Sequence, residues 1–274
     1  MFNLLTIFIF LFGLIIGSFL NCLIWRLHHK IPLTPFTKGG DKWQRSCCPN
    51  CQTQISWYDN IPLVSFIILG GKCRHCSQPI SWQYPLVELV TGILFVMAYY
   101  LNYELRIMNQ GSVIYDSLFM IQLLRDWFLI ALMIVIFIYD LRWYLILDVI
   151  TLPACLIVFL LNLGLGYYSW QNLLISGIIG GSFFFIQFLI SRGKWIGGGD
   201  IRLGLLIGLA LGWPNIAVAI FLGYFIGSIV GLGLIFTGRK QWGSQIPLGV
   251  FLSLATIITL FWGEKILQWY MGMF

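Results

Sequence analysis

Three consecutive glycines run straight into a carboxylate at Gly197-Gly198-Gly199-Asp200, and a second acid, Asp140, closes an apolar stretch sixty residues earlier. Ionisable groups at the edge of apolar segments are costly, so a pair of them calls for a reason. Two carboxylates brought together supply one: like charges a few ångströms apart cannot both ionise easily, so one stays protonated and donates while the other takes a proton from water. That is an aspartic dyad able to hydrolyse a peptide bond. Gly197, Gly198 and Gly199, with no Cβ, would let an extended substrate backbone lie against the chain's own. The structural alternative is that the glycines break a helix and Asp200 only caps the next one. Other hydrolytic chemistries fit poorly. The three histidines, His28, His29 and His75, all fall in one polar stretch, so no Ser-His or Cys-His pair can form among the apolar segments, and no H-E-x-x-H is present.

A second constellation is Cys48-Pro49-Asn50-Cys51 with Cys73-Arg74-His75-Cys76, two C-x-x-C pairs separated by 21 residues. Each pair is a short knuckle offering two thiolates to one tetrahedral ion, and the spacing is close to that of zinc-ribbon sites. Four cysteines would close the coordination sphere, making a zinc ion structural rather than catalytic. Disulfides are the alternative, and a reducing compartment decides against them.

The elements that must position these groups follow from composition: 59% hydrophobic residues, 9% charged and a mean hydropathy of +0.88 over 274 residues. This is an all-α polytopic membrane protein. Spans of roughly 20 apolar residues can be placed eight times, at about Phe2–Ile24, Pro85–Leu101, Phe119–Tyr139, Val149–Tyr168, Leu173–Ile190, Ile201–Leu211, Ile216–Phe236 and Leu248–Leu267. The sixth is short, which suggests irregular backbone sheltered by protein. The first span has neither a basic leader nor a small-residue cleavage site, so it reads as a retained helix rather than a signal peptide. Its positive charges come after it, from Arg26, which puts the amino terminus outside and the long loop inside. Arg26, Lys30, Lys38, Lys42, Arg45, Lys72, Arg74, Arg142, Arg192, Lys194, Arg202, Arg239 and Lys240 then face the cytosol, and Arg106, Arg125 and Lys265 lie at or toward the other side. Asp140 ends an inward helix and Asp200 begins an outward one, so both stand at one depth. The basic pI near 9.0 therefore reflects membrane orientation, and no basic stripe argues for nucleic acid. The domains expected are residues 1–25 as a first transmembrane helix, 26–84 as a cytosolic zinc-stapled loop too small to stand on its own core, and 85–274 as a seven-helix membrane unit.

Within the first helix Gly17, Ser18 and Asn21 suit close helix packing. Trp57, Tyr58, Trp82 and Tyr84 read as an interfacial aromatic belt. Glu88 is the exception there, a carboxylate in the first turns of the second long helix. Asp148 follows Asp140 by eight residues, ahead of Thr151-Leu152-Pro153, where it can act as a helix cap.

Taken in order, Gly17-Ser18-Phe19-Leu20-Asn21, the cysteine pairs, Trp57-Tyr58-Asp59-Asn60-Ile61-Pro62, Tyr84-Pro85-Leu86-Val87-Glu88-Leu89, Asp140-Leu141, Gly197-Gly198-Gly199-Asp200-Ile201-Arg202-Leu203 and Ile246-Pro247-Leu248-Gly249 resemble the bacterial type IV prepilin peptidases, of the G-x-G-D membrane aspartic protease group. The resemblance runs through almost the whole chain. It implies a multi-pass protein of the bacterial inner membrane that cleaves the leaders of type IV prepilins and pseudopilins after a glycine, at the cytosolic face. It further implies N-methylation of the new amino terminus from S-adenosylmethionine. Carried across, the catalytic acids fall on Asp140 and Asp200 and the zinc ligands on Cys48, Cys51, Cys73 and Cys76, and methyl transfer would belong to the loop and its junction with the next helix, including Glu88. The chain departs from the family at Arg142, often acidic there, at Leu147, often proline, and at Asp59, a glutamate in the family, so Asp148 stays open as an alternative to Asp140. The reading from a different class is an ion-coupled transporter or channel with Asp140 and Asp200 as a relay, which internal inverted repeats would favour; none is found.

Overall fold

The computed structural model describes residues 4–29, 46–110, 117–166, 168–241 and 243–273, apart from the side chains of 105–110. Lys30, Lys38, Lys42, Arg45 and the Arg106 side chain, all counted in the charge balance above, lie outside the described residues. The helices are α1 (Leu4–His28), α2 (Val64–Ile68), α3 (Gln83–Gln110), α4 (Ser117–Trp143), α5 (Asp148–Leu165), α6 (Trp170–Ser191), α7 (Gly198–Leu211), α8 (Asn215–Phe236) and α9 (Leu248–Met271). Among the described residues β pairing is limited to two isolated bridges. Seven helices, all but α2 and α7, are long and apolar enough to cross a membrane. The chain divides into two compact units, residues 1–100 and 101–274.

In the first unit α1 and α3 approach backbone to backbone. A Cβ on Gly13 would lie 2.7 Å from the Gly92 Cα, and one on Gly17 2.7 Å from the Glu88 Cα. Asn21 closes the end of this contact, donating to the Tyr84 carbonyl at 3.1 Å and accepting from Gln83 at 3.3 Å. The small and amide residues of α1 are thus packing groups, as their type suggested.

In the second unit α7 is the centre. Its 14 residues rise only about 21 Å, against about 30 Å of hydrocarbon, and Leu203, Leu206 and Ile207 are fully buried. α5, α6, α8 and α9 surround it. The α6–α7 contact is closest: any Cβ at Gly180 would collide with the Gly204 carbonyl, and any at Gly208 with the Ser176 carbonyl. A helix ending inside a bundle leaves carbonyls without partners. Asn162 of α5 supplies them, donating to the Leu209 and Ala210 carbonyls at 2.8 and 3.0 Å.

Asn162 is itself held by Arg125, whose guanidinium donates to its Oδ1 at 2.8 Å and to Asp126 at 2.8 Å, while Asn102 donates to Asp126 at 2.8 Å. Arg125, one of the cations placed at or toward the outer side, is buried and paired, and through Asn162 it serves the polar end of α7. Replacing Asn162 by Leu orphans both the α7 carbonyls and part of a buried guanidinium, at about 1–3 kcal/mol per group. The Asn162→Leu protein should therefore melt well below wild type in detergent; an unchanged melting temperature would show that this network is dispensable.

Candidate active site and metal centre

Asp140 lies in the last turn and a half of α4, buried, and its Oδ2 accepts the Val250 N–H at 3.1 Å. Gly249 also presents its N–H to this carboxylate. Both amides belong to the first turn of α9, which follows Pro247, so Asp140 occupies the positive end of a helix it is not part of. A Cβ at Gly249 would stand 2.8 Å from Asp140 Oδ2, so the glycine is what lets the helix end close on the acid.

Asp200 is buried at the third position of α7, whose N-cap is Gly197. Its Oδ2 accepts the Gly197 N–H at 3.0 Å, and its own N–H reaches the Gly197 carbonyl at 3.1 Å. The capping alternative is thus partly right: Asp200 is not the N-cap, but its side chain closes the first turn of its own helix.

One residue packs against the glycines beside both acids. Ile146, between α4 and α5, lies 2.8 Å from where a Gly199 Cβ would be and 3.2 Å from where a Gly249 Cβ would be. Ile146 thus packs beside the glycine that precedes Asp200 and the glycine whose N–H faces Asp140, and the two acids are near enough that Asp140 bears electrostatically on Asp200.

Asp148 is placed differently. It is the first residue of α5, Leu147 is the N-cap, and no side-chain cap bond forms. Its carboxylate pairs with Arg202 at the exposed face of α7, about half of each side chain remaining open. The cap expected for Asp148 is replaced by an ion pair, because Arg202 lies within reach from the neighbouring helix.

The four cysteines come together in the first unit, all Sγ atoms within 4.8 Å of one another. The two knuckles repeat each other. In each, the N–H of the residue after the second cysteine bonds the first cysteine's carbonyl, Gln52 to Cys48 at 2.9 Å and Ser77 to Cys73 at 3.0 Å. Those residues share a left-handed backbone, φ 57° and 55°, and bridges Cys47–Gln54 and Lys72–Pro79 close both loops. The Sγ separations of 3.8 Å (Cys48–Cys76) and 4.0 Å (Cys51–Cys73) are far beyond a disulfide of about 2.05 Å. They match the edge of about 3.8 Å of a tetrahedron with Zn–S bonds of about 2.3 Å. Hydrogen bonds at Thr53 bring the Cys51 thiol down to about 6, within reach of the thiolate form that a metal needs. Cys47 stands outside this set.

Arg74, inside the second knuckle, forms a two-pronged pair with Asp59 at 2.9 and 2.6 Å. The guanidinium holds the Asp59 carboxyl below the usual range, so this tie is complete above about pH 4 and is lost as pH falls through the lowered value. Glu88, buried, accepts the Leu63 N–H at 2.9 Å and bonds the Ser18 hydroxyl. Leu63 has φ 58°, a conformation that strains a branched residue. Glu88 therefore fastens the turn from Asp59 to Leu63 against α3.

Sequence reasoning missed the Gly249–Val250 amides, Ile146 and the Arg202 partner. Only Pro247-Leu248-Gly249, a proline at a helix start followed by a glycine, gave a local signal for the first.

Residues 11–102 match the model of the bacterial peptidase A24 N-terminal domain, and residues 127–232 that of the type IV leader peptidase family. Among curated proteins, the prepilin leader peptidase/N-methyltransferase of Aeromonas hydrophila is 33% identical over 286 residues, covering 97% of this chain and 93% of that protein. Proteins of the same name from Pseudomonas aeruginosa (31% over 281 residues, covering 95% and 91%) and Bacillus subtilis (30% over 274, covering 97% of each) are also similar. No solved structure matches at comparable significance.

Proposed function

The chain belongs to the type IV leader peptidase family, and from that premise we propose that it is a membrane aspartic endopeptidase that removes the leaders of prepilins and pseudopilins after a glycine. The observation that carries this reading is the burial of Asp140 and Asp200 close enough to interact, with Ile146 packed against the glycines Gly199 and Gly249 beside them. In this mechanism the pair holds one proton between its two carboxylates. One carboxylate takes a proton from water as it attacks the scissile carbonyl while the other gives its proton to the carbonyl oxygen. As the tetrahedral intermediate collapses, the first passes its proton to the departing amine and the second recovers one from the intermediate's hydroxyl. The α9 amides at Asp140 and the Gly197 amide at Asp200 fix both carboxylates without taking up all four oxygens. With an enzyme family shown, the ion-relay reading falls away. On this reading the site lies at the cytosolic face of the bacterial inner membrane, which the excess of Lys and Arg in the loops on that side supports.

The glycines have separable parts. Gly199 is needed for packing against Ile146, whereas a Cβ at Gly198 meets nothing within 4 Å. If substrate backbone runs along Gly197–Gly199, Gly198→Ala lowers kcat/KM for a prepilin with no change in melting temperature. Wild-type kcat/KM in Gly198→Ala would reduce the run to packing.

Methylation of the new amino terminus is assigned to the unit formed by residues 1–100, with zinc held by Cys48, Cys51, Cys73 and Cys76. A zinc ion held by these four cysteines would serve as a structural staple for the segment. The methyl donor, S-adenosylmethionine, is carried by family membership alone, and Glu88 contributes by holding the Asp59–Leu63 turn. The test uses the purified full chain with a prepilin and labelled donor, reading shortening and label uptake separately. Asp200→Asn should still methylate a pilin already cleaved; loss of both activities would join the two sites into one. Glu88→Gln keeps an acceptor for the Leu63 N–H and should retain methylation, whereas Glu88→Ala should lose it. Equal loss in both variants would make the carboxylate itself chemical.

A further inference from the structure

Among the described residues of the first unit, an apolar patch beside the four-cysteine loop is exposed. In α2, Ile67 and Ile68 are 76% and 72% exposed, and Trp82, just before α3, is 70% exposed. For a polar loop this is costly, since large apolar side chains held in water forgo the gain of burial. Three observations say what covers it.

Trp82 stands at the head of an exposed stripe on α3. Leu86, Leu89, Val90 and Ile93 follow at helical spacing, all exposed, as the lipid-facing side of a membrane span must be. The Leu86 N–H bonds the Trp82 carbonyl at 3.2 Å, so Trp82 already lies on the helical path. The ring of Phe66, in α2, packs on Trp82 with centroids 5.0 Å apart, which joins α2 to that stripe. Depth comes from the third contact. The Leu63 N–H, immediately before α2, bonds Glu88 Oε2, and Glu88 lies six residues beyond Trp82, about 9 Å along the helix axis. The entry of α2 is thus level with the first turns of α3, not above them.

We propose that α2 is an interfacial helix whose Ile67 and Ile68 insert into the bilayer beside Trp82, seating the four-cysteine loop on the membrane surface. The occupant is lipid: the surface continues a face that lipid already covers, and it pairs aliphatic residues with a tryptophan at the boundary, the composition of interfacial anchors. Lys72, exposed four residues after Ile68, adds a cation where anionic headgroups lie. The inference rests on the membrane assignment of α1 and α3, not on either activity.

The test places a benzoylphenylalanine photo-cross-linker at Ile67, Ile68, Leu86 or Gln52 of the full chain in vesicles of phosphatidylethanolamine and phosphatidylglycerol, with bound zinc checking the fold. Lipid adducts are expected at Ile67 and Ile68 in yield comparable to Leu86, and at background for Gln52, which is exposed in the first knuckle. Leu86 reports the span itself, so adducts there without adducts at Ile67 and Ile68 overturn the proposal. So do adducts at Ile67 and Ile68 to a second copy of the chain, or to added prepilin in place of lipid.

Discussion

Asp140→Asn and Asp200→Asn each lose prepilin cleavage by at least about 10²–10⁴-fold, the range for removing a positioned acid or base, while Asp148→Asn cleaves within a few-fold of wild type. The substitutions are close to isosteric, and the amide oxygen of each asparagine still accepts the backbone N–H that the acid accepts, from Val250 at Asp140 and from Gly197 at Asp200. Both variants should therefore insert, melt near wild type and keep the four-cysteine site. What they lose is the proton the pair must hold and exchange. Asp148 faces solvent and its partner is Arg202, so its substitution removes an exposed ion pair worth about 0–1 kcal/mol and no acid from the buried site. The measurement is the rate of appearance of shortened pilin from the full-length enzyme in detergent. Cleavage by Asp140→Asn together with none by a well-folded Asp148→Asn would transfer the first catalytic role to Asp148.

How much of this was legible without coordinates depended on whether the interaction was local. The spans were legible because hydrocarbon selects long apolar runs residue by residue, and even the short span was visible as a run from Ile201 to Leu211. The function of that shortness was not. Nothing in the neighbourhood of Leu209 and Ala210 says that their carbonyls end inside the bundle, and their donor, Asn162, lies 47 and 48 residues away. The partners of Arg125 were illegible for the same reason: Asp126 is its neighbour in sequence, but nothing local says that Asn102 and Asn162 converge on the pair.

The candidate site divides along the same line. Asp200 and its glycines form a contiguous motif whose first-turn geometry, a carboxylate closing on Gly197, can be read from the order of residues. Asp140 has no such motif. Its surroundings come from Gly249 and Val250, about 110 residues later, and Ile146, which packs against Gly199 and Gly249, is an ordinary aliphatic residue in sequence. Asp148 illustrates the opposite error: a local rule, acid before an apolar helix, suggested a cap, and Arg202 from α7 took the carboxylate instead.

Double substitution Cys73→Ser, Cys76→Ser should abolish zinc binding and leave residues 46–82 open to proteolysis, the largest stability effect expected anywhere in the chain. Structural zinc contributes about 10–16 kcal/mol in isolated fingers, and nothing else in this segment approaches it. Its described elements are one four-residue 3-10 turn, a five-residue helix and two isolated bridges, and Cys48 is among its few buried side chains. The Arg74–Asp59 pair is partly exposed and adds little by itself. The two knuckles already hold their sulfurs at the 3.8 and 4.0 Å edges of a tetrahedron, so four like ligands converge on a point that suits one ion. Elemental analysis of purified protein should find one zinc per chain, lost in the double variant, and limited proteolysis should cut the variant between α1 and α3 while sparing α4–α9. Full metal occupancy in the variant, or wild-type protein without zinc that resists proteolysis equally well, would show that the segment is held by its backbone and not by metal. Cys47→Ser serves as the control: its thiol lies outside the set of four, so it should keep both the zinc and the protection.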